Sequence, residues 1–129
     1  LETHVTNDDQ KSVLDVIGWC KDLEEKIKKL EAREIPVVDH GDFIKDKNSD
    51  LNKGEGERLI TEKITFNKVF KKAPVVKASL SGIDPGDQFP ARIDVRAENV
   101  TTEGCDIVMG TWGNSTIYFL KVNWTAIGY

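Results

Sequence analysis

Catalysis needs nucleophiles, bases or metal ligands at workable spacing, and this sequence offers few. His4 and His40 are the only histidines. Neither stands in the context of a Ser–His–Asp or Cys–His–Asn set. No Gly-rich phosphate loop is present, and Cys20 and Cys105 lack zinc spacing. No catalytic residue, no bound metal and no cofactor are expected. One stretch does imitate a metal loop: Asp46, Asn48, Asp50 and Glu57 fall at positions 1, 3, 5 and 12 of the calcium-loop pattern. Leu51 stands at the sixth position, where the sharp turn wants Gly. Pro36 opposes a helix near the entry, and the exit reads as a strand. The segment from Asp39, His40, Gly41 and Asp42 to Glu57 therefore reads as a solvated polar loop.

Three further sites are chemical addresses. Asn99-Val-Thr, Asn114-Ser-Thr and Asn123-Trp-Thr match the acceptor pattern for N-glycosylation. Three in so short a chain lean towards a secreted or cell-surface protein. Leu1 opens a polar stretch with no apolar leader, as expected of a mature or trimmed form.

Bulk composition narrows the classes. A net charge of −4 argues against nucleic acid, which needs clustered Lys and Arg. No apolar run approaches the roughly 20 residues of a membrane span. Two cysteines cannot build a disulfide scaffold, so a packed core must hold the fold.

The elements that must carry any site fall into two kinds. Residues 11–34 are rich in Lys, Glu and Leu and free of Pro, and Asn7, Asp8 and Asp9 precede them as capping residues. Val13, Val16, Cys20, Leu23, Ile27 and Leu30 alternate spacings of three and four. That is a heptad, with Val13, Cys20 and Ile27 at a and Val16, Leu23 and Leu30 at d. Lys26 at g can reach Glu31 at e of a neighbouring parallel helix. Ile17 and Trp19 widen the apolar stripe and favour three strands, whereas β-branched a positions with Leu at d favour two. The trimer is preferred here. The alternative is one amphipathic helix packed on its own domain. Cys20 is read as a small buried apolar residue of the seam; in a two-stranded coil it could pair across the axis.

Beyond Pro36 the pattern changes to strands and turns. Residues 59–66, 75–80, 92–97, 105–112 and 116–127 read as strands, separated by Asp84-Pro85-Gly86-Asp87, Glu103-Gly104 and Gly113-Asn114. Ile93, Val95 and Ala97 share one face, as do Leu120, Val122, Trp124 and Ala126. The expected organisation is a mainly β protein. Residues 1–35 form a coiled-coil oligomerisation helix, and residues 36–129 form an antiparallel β-sandwich or barrel.

Residues 58–129 resemble the H-type lectins, the family of snail agglutinins and of the discoidin C-terminal domain. Ile64-Thr65-Phe66, Pro74-Val75-Val76, Arg92-Ile93 with Arg96, Thr111-Trp112, Tyr118 and Asn123-Trp124 carry the resemblance in order. It implies a six-stranded antiparallel sandwich that trimerises, with a shallow site for galactose or N-acetylgalactosamine between subunits. In the matching positions Arg92 would donate to sugar hydroxyls, Trp112 would pack beside the ring and Tyr118 would stand near the groove. The loop acid would be Glu55, beside Gly54. Gly113 stands where the snail proteins often have His, a departure that bears on acetamido preference. Val38 and Met109 occupy the positions of the snail disulfide. Each residue also has a structural reading. Arg92 could pair with Glu98 or Asp94 of another chain, Trp112 could fill the sandwich edge, and Tyr118 shares the parity of Leu120 and Trp124. Asn114 could touch sugar, carry a glycan or hold a left-handed turn.

The chemistry suits a saccharide. An aromatic side chain buries its weakly apolar face, while Arg and a carboxylate satisfy hydroxyls. Single sites should be weak, and several on one stalk raise avidity. The expectation is a non-enzymatic lectin, a homotrimer or dimer of trimers, that binds glycans ending in galactose or N-acetylgalactosamine. The alternative is a structural or adhesive trimeric tip, fibre-head-like, that binds a protein partner.

Overall fold

A computed structural model describes residues 7–46 and 50–129, with side chains from Asp9 onward. His4 and Asn48 lie outside the described residues. The chain divides into two compact units between Ile35 and Pro36.

The first unit is one helix, α1, spanning Asn7–Glu31. It begins and ends a turn earlier than the composition suggested. Lys28 and Lys29 sit in its last turn, where they complement the negative end of the helix dipole. The chain leaves through a tightened turn in which Arg33 N donates to Leu30 O at 3.2 Å. All the described apolar heptad residues are exposed, from Val16 and Ile27 at 51% to Leu30 at 59%. Trp19 beside them is 67% exposed.

The second unit holds six strands among the described residues: β1 Val37–Lys45, β2 Arg58–Thr65, β3 Val75–Pro85, β4 Asp94–Glu98, β5 Gly104–Thr111 and β6 Ile117–Gly128. They form two antiparallel three-stranded sheets, ordered β1-β6-β3 and β2-β5-β4. One core lies between the sheets. Cys105, Ile107 and Met109 of β5 meet Leu120, Val122, Trp124 and Ala126 of β6, with Phe66, Phe70 and Leu51 closing the edges. Phe66 sets its ring edge-on to Phe70 at 5.3 Å and tilted to Trp124 at 5.7 Å. Such pairs add to what burial alone contributes.

β1 corrects the expectation of a loop after Val38. Its inward positions include Asp39, Gly41 and Phe43, so no hydrophobic alternation marks it. Each polar or empty position has a physical reason. Asp39 is buried, and its carboxylate accepts from Asn67 N at 2.6 Å, Asn67 Nδ2 at 2.8 Å and His40 N at 2.9 Å. Gly41 lies opposite Trp124, and a Cβ there would stand 2.7 Å from the indole. The missing side chain is the space the indole fills. Further along, Asp50 opens a short 3-10 turn, Asp50–Asn52, that drives Leu51 into the core at 0% exposure. The residue that spoiled the calcium pattern is thus a core residue.

The register fixes two ends of the sandwich. Val37 lies opposite Gly128 and Val75 opposite Ile127 at one end. Lys45 opposite Leu120, Pro85 opposite Ile117 and Arg58 opposite Thr111 mark the other. The chain therefore enters the head at the end away from the β5–β6 turn.

Candidate functional site

Three loops gather at the β5–β6 end: 53–57 before β2, 86–93 between β3 and β4, and 112–116 between β5 and β6. Short bonds tie them together. Gly56 N donates to Gly113 O at 2.9 Å and Gly86 N to Thr116 O at 2.8 Å. Thr111 Oγ1 donates to Arg92 O at 2.5 Å.

Arg92 is at the centre of this knot. It lies just before β4, two residues outside the strand expected to contain it. Its Nη1 donates to Asn114 Oδ1 at 3.0 Å and to Ser115 Oγ at 2.9 Å. Ser115 is fully buried, and its hydroxyl donates in turn to Pro90 O at 2.5 Å. One nitrogen thus anchors the guanidinium, while Nε and Nη2 make no hydrogen bond to the described residues. Asp94 and Glu98, the alternative partners considered for Arg92, are both occupied by Arg96 of the same chain. Those two carboxylates raise the Arg96 pKa by hydrogen bonding and charge.

Gly113 takes a left-handed φ of 64°. A Cβ there would stand 3.1 Å from Arg92 Nη1. Glycine at this position therefore serves both the turn and the close packing of the guanidinium. The left-handed residue of the turn is Gly113 and not Asn114, whose amide oxygen is held by Arg92.

Trp112 is 46% exposed and does not fill the core. It lines an open groove of about 330 Å³ with Glu57, Leu59, Asp94, Arg96 and Thr111. The acid beside it is Glu57, while Glu55 is exposed in the same loop, and a Cβ at Gly54 would stand 3.3 Å from Arg58 Cδ. Tyr118 is also 46% exposed, against the parity of Leu120 and Trp124. The cause is a β-bulge: Asp84 pairs with Phe119 and Pro85 with Ile117, so Tyr118 has no partner across the ladder. A bulge adds one residue and re-aims the side chain. Tyr118 is turned outward, beside Gly86.

Two residues that sequence reasoning passed over organise the site. Ser115 orients Arg92. Arg58 donates from Nε to Gly56 O at 3.0 Å, from Nη1 to Lys53 O at 2.9 Å and from Nη2 to Gly113 O at 3.1 Å. Their partners are largely backbone carbonyls, which leave no trace in a residue pattern.

The remaining candidates lie elsewhere. Asn99 takes a φ of 51° and donates from Nδ2 to Asp106 Oδ2 at 3.0 Å. Asn123 faces outward on β6 and accepts from Ser79 Oγ at 2.8 Å. Cys20 is exposed on α1; Cys105 is buried, and burial pushes its thiol pKa up, away from reactivity. Among the described residues no three His, Cys, Asp or Glu side chains are placed to hold a metal. No described helix is long and apolar enough to cross a membrane.

Comparison with known proteins places this arrangement. Residues 61–127, just over half of the chain, match the model of the H-type lectin domain. The chain belongs to the H-type lectin family. It is 32% identical over 80 residues to Discoidin-2 of Dictyostelium discoideum, which is 61% of this chain and 31% of that protein. It is 37% identical over 75 residues to a Fuscovulum blasticum protein described as ATP synthase subunits region ORF 7, across 58% of this chain and 65% of that protein. The solved structure of recombinant discoidin II of Dictyostelium discoideum superposes with a TM-score of 0.67 at 30% identity, covering 75% of this chain and 38% of the other. The chain thus spans less than two thirds of the length of each of these relatives. Loops 86–93 and 112–116, and with them Arg92, Trp112 and Tyr118, fall inside the H-type lectin match; Gly54 and Glu55 fall before it.

Proposed function

We propose that this chain is a multivalent, non-enzymatic lectin for glycans ending in galactose or N-acetylgalactosamine. The observation that carries the reading is Arg92. Its guanidinium is fixed through Nη1 and packs on Gly113, Nε and Nη2 remain for sugar hydroxyls, and Trp112, the residue before Gly113, is exposed. Charge-assisted bonds to hydroxyls and an aromatic against the ring are the two contacts a saccharide offers. Family membership supports the same chemistry. Glu57, which lines the groove with Trp112, supplies the acid in place of Glu55, while Gly54 gives the backbone approach, Tyr118 an edge contact and Asn114 a second anchor for Arg92. Gly113 in place of a larger residue leaves the site open above the turn and weakens the preference for an acetamido group.

The sites lie between adjacent protomers of a trimer, gathered by a parallel coiled coil of α1 within the oligomerisation segment 1–35. The uncovered heptad stripe of α1 supports that assembly, because most helical stability in proteins comes from packing an apolar face, and this face is exposed. The protein acts outside the cell, where its sequons at Asn99 and Asn123 can carry glycans without touching the site loops. A glycan array of the wild-type chain beside Arg92→Ala tests the proposal. Galactosides should stand out on the wild type and vanish in the variant; an array with no sugar signal above Arg92→Ala would falsify it.

A further inference from the structure

We infer that Arg58 is the positioning residue of the saccharide site, the clamp that holds the Gly54–Glu55 loop against the Trp112–Gly113 turn. The inference rests on the lectin reading above and names a residue that touches no sugar. Three hydrogen bonds of its guanidinium run to backbone carbonyls, to Lys53 and Gly56 on one side and to Gly113 on the other. Lys53 and Gly56 bracket Gly54 and Glu55. Gly113 follows Trp112 and sits against Arg92. Gly56 N reaches the same Gly113 oxygen at 2.9 Å, so that carbonyl accepts from both the loop and the clamp.

The geometry needs a guanidinium. Its donors are fixed in one plane and diverge, so one side chain can hold three separate oxygens. A lysine ammonium keeps the charge but is a compact point donor on a flexible stem, and it cannot span the two segments in the same way. The loop has little else to hold it, since residues 53–57 are exposed. Arg58 itself is the first residue of β2, paired with Thr111, so the clamp springs from the sheet rather than from another loop.

Three measurements test the clamp on the full chain: the Kd for methyl galactoside by calorimetry, amide hydrogen exchange at Gly56, and mass by light scattering. They are made on wild type, Arg58→Lys and Arg58→Ala. Both variants should bind methyl galactoside at least tenfold more weakly than wild type. Both should exchange the Gly56 amide at least tenfold faster, at unchanged oligomeric mass and with amides of β5 and β6 still protected. Wild-type affinity and wild-type Gly56 protection in Arg58→Lys would overturn the inference, because charge alone would then suffice. A general loss of protection in β5 and β6 would also overturn it, by showing a role in the fold rather than in the loop. If the wild-type chain binds no galactoside, the lectin reading fails instead, and Gly56 exchange alone decides whether Arg58 clamps the loop.

Discussion

Replacing Ser115 by Ala should injure stability and binding together, by amounts the structure lets one work out. The Ser115 hydroxyl is buried, donates to Pro90 O and accepts from Arg92 Nη1. Alanine removes both bonds and adds no steric strain. Pro90 is exposed, so water can replace the lost donor, and the cost is the net worth of an ordinary hydrogen bond, about 0.5–1.5 kcal/mol. In a domain of this size each kcal/mol lowers Tm by roughly 4–8 °C. The expected fall is therefore on the order of 5 °C by differential scanning calorimetry. Arg92 would retain only Asn114 as an anchor, itself exposed. Re-ordering a freed long side chain on binding costs about 0.5–1.5 kcal/mol. That converts to a rise in galactoside Kd of roughly two- to tenfold, since about 1.4 kcal/mol is tenfold. The two effects should appear in one variant, with Tm read by calorimetry and Kd by titration. A Ser115→Ala chain that melts within a degree of wild type and binds as tightly would show that the Pro90–Ser115–Arg92 chain organises nothing.

Two other perturbations follow from Asp39 and from the apolar stripe of α1. Burial pushes the Asp39 carboxyl up, but the Asn67 side chain and the backbone N–H groups of Asn67, His40 and Lys68 outweigh it and hold the pKa below its ordinary 3.8. A depressed carboxyl stabilises the fold above its unfolded value, and that contribution is lost as pH falls through the folded one. Urea midpoints should therefore be level above about pH 5 and drop below pH 4, and Asp39→Asn should be less stable at neutral pH with a shallower acid slope; an unchanged slope would refute the assignment. Ile27→Lys tests the proposed coiled coil by placing a charge in the exposed apolar stripe of α1. Light scattering should show the oligomer dissociating, and binding to a galactose-coated surface should weaken by about 10²-fold through lost avidity, while the Kd for free sugar moves far less. An oligomer of unchanged mass would mean the helices do not hold it.

The sequence displayed those parts of the head whose burial obeys a period. In β6 the inward residues Leu120, Val122, Trp124 and Ala126 alternate cleanly, and all four are buried. Ile93, Val95 and Ala97 likewise pack on the core. The pattern failed where tertiary contacts substitute for hydrophobicity. β1 presents Asp39 and Gly41 inward, one satisfied by Asn67 and the other vacated for an indole. Tyr118 obeys the period on paper, yet a bulge at Tyr118 itself, between Ile117 and Phe119, turns it out to solvent. Arg92 and Trp112 came into view through the resemblance to the H-type lectins, since no spacing of their own marked them. Arg58 and Ser115 did not, because what they hold is chiefly main-chain oxygen, and any residue supplies that.

The entry of the chain at Val37 has a practical meaning. β6 runs 12 residues from the β5–β6 turn to the end beside Val37, about 40 Å at the rise of an extended strand. Whatever precedes the head is joined a full strand length from the loops around Arg92. A different N-terminal segment joined at Pro36 would meet the head at that end, leaving the loops around Arg92 as they are.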